Sequence, residues 1–150
     1  MSTIAHAKLD GFMKFVAKTG SGHEIVMDAK EKVGGKDEGP RPAELPFAGL
    51  AGCTGMDAIS ILRKMRQDVK SFSVEVEGHE AATEHPKVWK EISVIFHVEG
   101  DVDAKKLARA IDLSRTRYCS VSATLKDPMI INYAFVLNGE RTDLGDPEAE

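Results

Sequence analysis

The sequence lacks the features that mark nucleic-acid-binding, membrane and secreted proteins. Its 150 residues have a net charge of −4 and no cluster of basic residues interleaved with aromatic ones, so nucleic-acid binding has little electrostatic support. We find no apolar run that approaches membrane length. The first residues also lack the charged start and apolar centre of a signal peptide. We therefore expect one cytoplasmic domain over residues 1–150, with no nucleic-acid or membrane partner.

Cysteine is equally scarce, because the chain has only Cys53 and Cys119. In the cytoplasm both should be reduced at rest, and a cysteine pair there is more often catalytic or redox-active than a structural disulfide. The sequence contains no C-x-x-C spacing and no histidine-rich cluster. It therefore predicts no metal site, and we expect no cofactor.

Residues 41–66 predict the helix around which the rest of the chain is organised. Proline fits its first turn, and basic residues near its end suit the helix dipole. Glycine and alanine surround Cys53 in the middle, which lets another helix or a ligand approach closely. Apolar residues lie on several faces of the following turns, so this helix should be buried.

The chain before this helix predicts a hairpin and a loop. Residues 4–17 and 23–28 have extended patterns on either side of a glycine-rich turn signal. Residues 29–40 are charged and glycine-rich without a period, and they read as an exposed loop.

The chain after the helix predicts more strands and a second helix. Alternating residues at 72–77 and 88–98 indicate two half-buried strands of a β-meander. Asp101 or Asp103 can cap an amphipathic helix that ends just before Cys119. Three shorter segments follow: a helical turn at 120–125, a strand at 129–137, and an acidic tail at 140–150 that we expect to be poorly ordered.

Each cysteine has two readings. A cysteine is often only a small buried hydrophobic residue. Small neighbours around Cys53, and Arg115 and Arg117 shortly before Cys119, favour reactive thiols instead, provided that the arginines point inward.

Two acidic residues and several histidines are further candidates. Glu44 suits the first helical turn through the dipole alone, and about 13.5 Å of helix separates it from Cys53 unless that turn is broken. Asp57, one turn after Cys53, can orient a polar group or bond to nearby backbone. Possible bases for a Cys–His hydrolase are His23, His79, His85 and His97.

Two segments resemble one protein family. PAELPFAGLAGCTGMDAISIL and EHPKVWKEISVIFHVEGDVDAKKLARAIDLSRTRYCSVSATL are similar to the OsmC/Ohr superfamily of osmotically inducible and organic hydroperoxide resistance proteins. The likeness covers residues 39–137, and its sharpest marks are the small-residue helix around Cys53 and the CSVSATL segment around Cys119. GCTGMDAISIL and EHPKVW resemble the less characterised OsmC-like branch.

The resemblance implies an α+β fold in which antiparallel sheets wrap around central helices in an intertwined homodimer. It also implies a thiol peroxidase for organic hydroperoxides, in which Cys53 attacks, Cys119 resolves and an external dithiol restores both thiols. Glu44 is the third catalytic candidate. The residues expected around the substrate are Gly52, Met56, Asp57 and Arg117.

The N-terminal part of the chain lacks one feature of the family's peroxidases. The family's peroxidases stabilise the thiolate with an arginine from the N-terminal strands, whereas residues 1–40 contain none. The candidates to replace it are Lys14, Lys18, Arg41, Arg115 and Arg117.

Two functions other than the peroxidase stay open. They are a binding protein for a small apolar or acyl ligand and a cysteine hydrolase that uses a histidine from the partner chain.

Overall fold

The computed structural model describes residues 2–126, 133–138 and 140–144. In these residues, three α-helices accompany three antiparallel sheets, which confirms the α+β class. The first sheet has the order β1-β2-β3, and the other two are the pairs β4-β5 and β6-β7. The strands are β1 Ala5–Leu9, β2 Phe15–Thr19, β3 Glu24–Met27, β4 Asp68–Ala81, β5 Trp89–Asp101, β6 Tyr133–Leu137 and β7 Glu140–Leu144. The helices are α1 Leu45–Lys64, α2 Ala104–Leu113 and α3 Ser120–Lys126.

The N-terminal sheet has one strand more than the predicted hairpin. Residues 4–17 contain β1 and the start of β2, because a turn at Gly11, which has a φ of +115°, reverses the chain between them. Cross-strand pairs in the register share a face. The face that contains the pairs Leu9 with Phe15, Phe15 with Met27 and Ala17 with Ile25 is apolar. Much of this face is exposed in the single chain.

The loop at 29–40 is more ordered than a charged, glycine-rich sequence suggests. It contains the short 3-10 helix Glu31–Val33. The buried carboxylate of Asp28 accepts hydrogen bonds from the backbone N–H groups of Ala29, Lys36 and Glu38 at 2.8, 3.0 and 3.2 Å. A single acidic side chain therefore organises the loop from its first residue.

The central helix is confirmed with a shorter α-helical part than 41–66. The 3-10 turn Pro42–Glu44 precedes α1, which ends at Lys64. Leu62 is completely buried, and a Cβ at Gly55 would lie 3.2 Å from the Cγ2 of Val74 in β4. The glycine therefore allows the helix to pack closely on the second sheet.

The expectation that no apolar run approaches membrane length is wrong for this helix. Pro42–Lys64 is long and apolar enough to cross a membrane by length and composition, with a mean hydropathy of 1.4 over its best window. A buried helix of a soluble fold has the same composition. Helix α1 contacts α2, α3 and β4, but only 28% of this stretch is buried in the single chain, so the expectation of a buried helix is met on one face alone.

The second sheet is longer than the sequence pattern indicates. Predicted strands at 72–77 and 88–98 become β4 and β5, which pair along nearly their whole length. On the face that meets α1, the rings of Phe72 and Phe96 pack edge to face with centroids 6.1 Å apart. Polar and apolar residues alternate along a strand only where one of its faces is exposed to solvent. The sequence pattern therefore locates the centre of each strand better than its ends.

The C-terminal half contains two further differences. Asp103 caps α2 as expected, since its carboxylate accepts from the Lys106 N–H at 2.9 Å. The α-helix then ends at Leu113 and continues as a π turn over Ser114–Tyr118. The predicted short helix at 120–125 is confirmed as α3.

Part of the acidic tail at 140–150, expected to be poorly ordered or to pack late, forms a strand. Glu140–Leu144 is β7, which pairs with β6 so that Arg141 lies opposite Val136 and Thr142 opposite Phe135. Of the predicted strand at 129–137, residues 133–137 are described as β6, while residues 129–132 and 145–150 lie outside the described residues.

Candidate active site

The π turn sets the position of Cys119. A π turn widens the helical hydrogen bond to five residues, and here the Cys119 N–H donates to the Ser114 carbonyl at 2.9 Å. The chain then leaves the helix, because Cys119 has an extended ψ of 99°. Cys119 thus lies immediately before α3, and its sulfur accepts from the Ser122 N–H at 3.4 Å.

Helix α1 presents Cys53 to this sulfur. The cysteine sulfurs and a carboxylate oxygen of Asp57 all lie within 4.8 Å of one another. Cys53 and Asp57 share one face of α1 because they are four residues apart. The fold therefore brings together two thiols that the whole β4-β5 hairpin and α2 separate in sequence.

A chain of buried hydroxyl groups holds the Asp57 carboxylate. The Ser114 hydroxyl donates to Asp57 Oδ2 at 2.9 Å, and Thr54 Oγ1 lies 2.9 Å from Ser114 Oγ. A serine hydroxyl has one proton, and the carboxylate can only accept. Thr54 therefore donates to Ser114, and the chain of hydrogen bonds runs from Thr54 through Ser114 to Asp57.

The two thiols differ in acidity. Burial raises the pKa of Cys53, and the neighbouring Cys119 and Asp57 raise it further. Burial also acts to raise the pKa of Cys119, but hydrogen bonds from the Ser122 N–H and from the Cys53 thiol outweigh it, so this pKa is lowered. Of the two thiols, Cys119 is thus the more acidic.

The remaining predicted site residues lie farther out. Gly52 and Met56 are on the exposed side of α1 next to Cys53, and Met56 is 72% exposed. Arg117 is exposed on the π turn. Glu44 lies at the start of the helix, where its carboxylate accepts from the Arg41 N–H at 2.8 Å. Its catalytic role stays a prediction.

The basic residues proposed to replace the N-terminal arginine bind elsewhere in the single chain. Lys14 bridges Asp10 and Glu38 at 3.2 and 3.0 Å. Arg41 binds the Gly39 carbonyl at 2.7 Å and pairs with Asp37. Arg115 pairs with Asp112 at 2.8 Å, and Lys18 and Arg117 are exposed.

Three of the four candidate histidines bond to groups outside the cysteine cluster, and the fourth, His85, is exposed in the connection between β4 and β5. His79 pairs with Ser93 at 2.7 Å and His97 with Glu75 at 2.9 Å, all on exposed positions of β4 and β5 or their rim. His23 bonds to Ser21 in the turn after β2.

Sequence reasoning missed Ser114 and Ser122. Ser114 lies three residues after Ile111 and four after Ala110, so it continues the apolar face of α2 and is itself fully buried. A hydroxyl on an apolar face requires a buried partner, and this is the signal that could have identified it. No comparable pattern marks Ser122, since its role depends on where α3 begins.

A cavity of 410 Å³ adjoins the site. Its wall combines apolar side chains with the hydroxyls of Thr54 and Ser122, and Arg115 and Asp112 complete it. The apolar residues are Leu50, Val94, Phe96, Ala108 and Ile111. Neither cysteine lines this cavity, but two of its wall residues are neighbours of the site: Thr54 follows Cys53, and Ser122 bonds to Cys119.

Comparison with known proteins identifies the family. Residues 35–134 match the family model described as OsmC-like protein. The chain belongs to the OsmC family. This OsmC-like chain is 35% identical to protein YhfA of Escherichia coli K12 over 124 residues, which cover 82% of this chain and 89% of YhfA.

Solved structures share the OsmC-like fold. A hypothetical protein from Aquifex aeolicus VF5 is 32% identical with a TM-score of 0.70, covering 84% of this chain and 88% of that one. An organic hydroperoxide resistance protein OsmC from Legionella pneumophila is 18% identical with a TM-score of 0.58, covering 84% and 90%. At that identity the second likeness concerns the fold alone.

Proposed function

We propose that this OsmC-like protein is a cytoplasmic thiol peroxidase that reduces organic hydroperoxides with Cys53 and Cys119. One observation carries the proposal: the two sulfurs lie within 4.8 Å of each other in a half-buried site. The description of the Legionella relative as a hydroperoxide resistance protein supports the same chemistry. The apolar cavity beside the thiols suits a peroxide with an organic tail rather than hydrogen peroxide.

The two thiols have different roles in this proposal because they differ in accessibility and acidity. Cys53 is the more exposed, and the neighbouring Gly52 carries no side chain to shield it, whereas Cys119 is only 4% exposed. Cys119 is the better thiolate. Because the two sulfurs lie within 4.8 Å of each other, transfer of one proton from Cys53 to Cys119 produces the accessible thiolate. Cys119 then acts first as the base and later as the resolving thiol.

The reaction balances with these two groups. The Cys53 thiolate attacks the distal peroxide oxygen, the O–O bond breaks, and the leaving alkoxide takes the proton held by Cys119. Cys53 is now a sulfenic acid. The Cys119 thiolate attacks its sulfur, the S–O bond breaks, and hydroxide leaves as water after protonation by solvent. The peroxide gains two electrons, the thiols become a disulfide, and an external dithiol restores them.

The surface of the single chain supports a homodimer. Its accessible surface is 12040 Å², whereas a folded monomer of 16.3 kDa is expected to expose about 7,500 Å². Obligate homodimers bury about 2,000 to 5,000 Å². The apolar face of the N-terminal sheet is the surface that we assign to this interface. A partner can then supply the basic group that the single chain does not place at Cys53.

Peptide mapping under non-reducing conditions tests the proposal. Reduced protein is mixed with one equivalent of an organic hydroperoxide, and we expect a rapid Cys53–Cys119 disulfide. In Cys119→Ser, a sulfenic acid should be trapped on Cys53, while Cys53→Ser should consume no peroxide. The proposal fails if the thiols oxidise no faster than in the denatured chain.

The same variants separate the two alternatives. A hydrolase needs Cys53 and a histidine but not Cys119. Since His23, His79 and His97 bond elsewhere, the hydrolase reading takes its histidine from the partner chain. A binding protein keeps its ligand after Cys53→Ser, and the 410 Å³ cavity is the observation that favours it. Unchanged peroxide consumption in Cys119→Ser would favour a mechanism with one cysteine.

A further inference from the structure

A third group stands beside the two thiols. The carboxylate of Asp57 is within 4.8 Å of both sulfurs, and the peroxidase chemistry does not use it. Thiolate and carboxylate are both ligands of Zn²⁺, with distances of about 2.3 and 2.1 Å. Two sulfur ligands of a tetrahedral ion at these distances are about 3.8 Å apart. Side-chain movements that shift the ligand atoms by about 1 Å would therefore bring all three within bonding distance of one ion.

The surrounding structure orients the three groups in the way that metal ligands are oriented. Cys53 and Asp57 are four residues apart on one helical face, a spacing that helical metal motifs use. The Ser114 hydroxyl holds Oδ2 of Asp57 at 2.9 Å and leaves the other oxygen available. Hydrogen bonds of this kind to a ligating carboxylate are a regular feature of metal sites.

From this arrangement we infer that the reduced protein binds a thiophilic divalent cation, Zn²⁺ by preference, through Cys53, Cys119 and Asp57. Binding releases the thiol protons to solvent, and two thiolates and one carboxylate then face a charge of +2. The fourth position is open to water. The sequence predicted no metal here because Cys119 joins the other two only in the fold. The inference goes beyond the proposed peroxidase and does not depend on it.

Cobalt substitution tests the site without any peroxide. Full-length, chelator-treated, reduced protein is titrated with Co²⁺ in the absence of oxygen. We expect one tetrahedral Co²⁺ per chain, with strong visible bands and a thiolate-to-cobalt charge-transfer band. Added Zn²⁺ should displace the cobalt, because such sites bind Zn²⁺ more tightly.

Four variants decide which residues bind the metal. Cys53→Ser and Cys119→Ser should each lose the charge-transfer band of the two-thiolate site. Asp57→Asn keeps the shape and the acceptor for Ser114, and it should weaken Zn²⁺ binding at least 10-fold. Asp68→Asn is the matched control, since this exposed carboxylate pairs with Lys70 at 2.9 Å outside the cluster, and its loss should leave Zn²⁺ binding unchanged.

Three outcomes would overturn the inference. These are no cobalt spectrum in the wild type, the same spectrum in either cysteine variant, and equal affinity in Asp57→Asn. Zn²⁺ should also raise the melting temperature of the wild type more than that of Asp57→Asn, which checks the assignment independently of the spectrum. A protein that binds Zn²⁺ but ignores hydroperoxide would contradict the proposed function alone.

Discussion

The cysteine region and the N-terminal sheet become ordered in different ways. The cysteine region, defined as α1 to α3 with β4 and β5, contains its own core, in which Leu62 and Ser114 are completely buried. The N-terminal sheet, defined as β1 to β3, buries Ala17 but leaves Phe15 40% exposed on its apolar face. The cysteine region thus buries its apolar residues within the chain, whereas the N-terminal sheet needs another surface to cover its apolar face.

This difference explains why, in our proposal, one chain supplies the thiols and Asp57 while a second chain covers the apolar face of the N-terminal sheet. The thiols and Asp57 meet through contacts of a single chain, so their chemistry is set by α1, the π turn and α3. Among the described helices and strands, β1 to β3 have their main contacts with one another, and Leu9 and Phe15 on the apolar face stay exposed. Substitutions should therefore affect the two regions through different measurements.

The largest effect is expected in the core of the cysteine region. Leu62→Ala removes a completely buried side chain, and we expect a loss of about 2 to 5 kcal/mol in the free energy of unfolding. Chemical denaturation at one fixed protein concentration measures it. Leu62→Met keeps the volume and should cost less than about 1.5 kcal/mol. Equal losses for the two variants would mean that Leu62 is not packed as described.

The N-terminal sheet should respond through association instead. Phe15→Asp places a charge on the apolar face, and we expect the dimer dissociation constant to rise at least about 30-fold, which corresponds to 2 kcal/mol. Sedimentation velocity over a range of concentrations measures the constant.

The control for this change lies in the same sheet. Val26→Asp introduces the same charge on the opposite face, because Val26 pairs with Val16 rather than with Phe15. It should leave the dimer intact. If both variants dissociate equally, or if the wild type is monomeric, the sheet face is not the interface.

The sequence predicted the parts of each region that depend on local pattern. Alternation located the centres of β4 and β5, and the small residues around Cys53 identified the central helix. The cap at Asp103 was also visible, because capping depends on residues within one turn. These features need no knowledge of the rest of the fold.

The missed parts depend on contacts that sequence spacing does not record. The π turn at 114–118 sets the position of Cys119 through hydrogen bonds that span five residues, and such a change of helix type has no pattern in the sequence. The ordered loop after β3 depends on one carboxylate, Asp28, that accepts three backbone hydrogen bonds. The strand at Glu140–Leu144 is polar, so only its pairing with β6 identifies it.

The smallest expected effect is a pH dependence with opposite signs in the two regions. In the N-terminal region, burial acts to raise the pKa of Asp28, but its backbone N–H donors and Lys14 outweigh this and lower it from 3.8. Its stabilising contribution is therefore complete above the ordinary pKa and is lost as the pH falls through the lowered one. In the cysteine region, burial raises the pKa of Cys53 from 9.0. Its contribution is complete below pH 9.0 and is lost as the pH rises through the raised value.

Melting curves of two variants against pH separate these contributions. Asp28→Asn should melt below the wild type at neutral pH, and the difference should shrink in acid as the wild-type carboxylate becomes protonated. Cys53→Ala should melt below the wild type near neutral pH, and that difference should shrink above pH 9.0 instead. Cys119 acts in the opposite direction to Cys53, because its pKa is lowered, so Cys119→Ala is needed to separate the two thiols. A constant difference for Asp28→Asn across the acid range would show that the carboxylate charge does not order the loop.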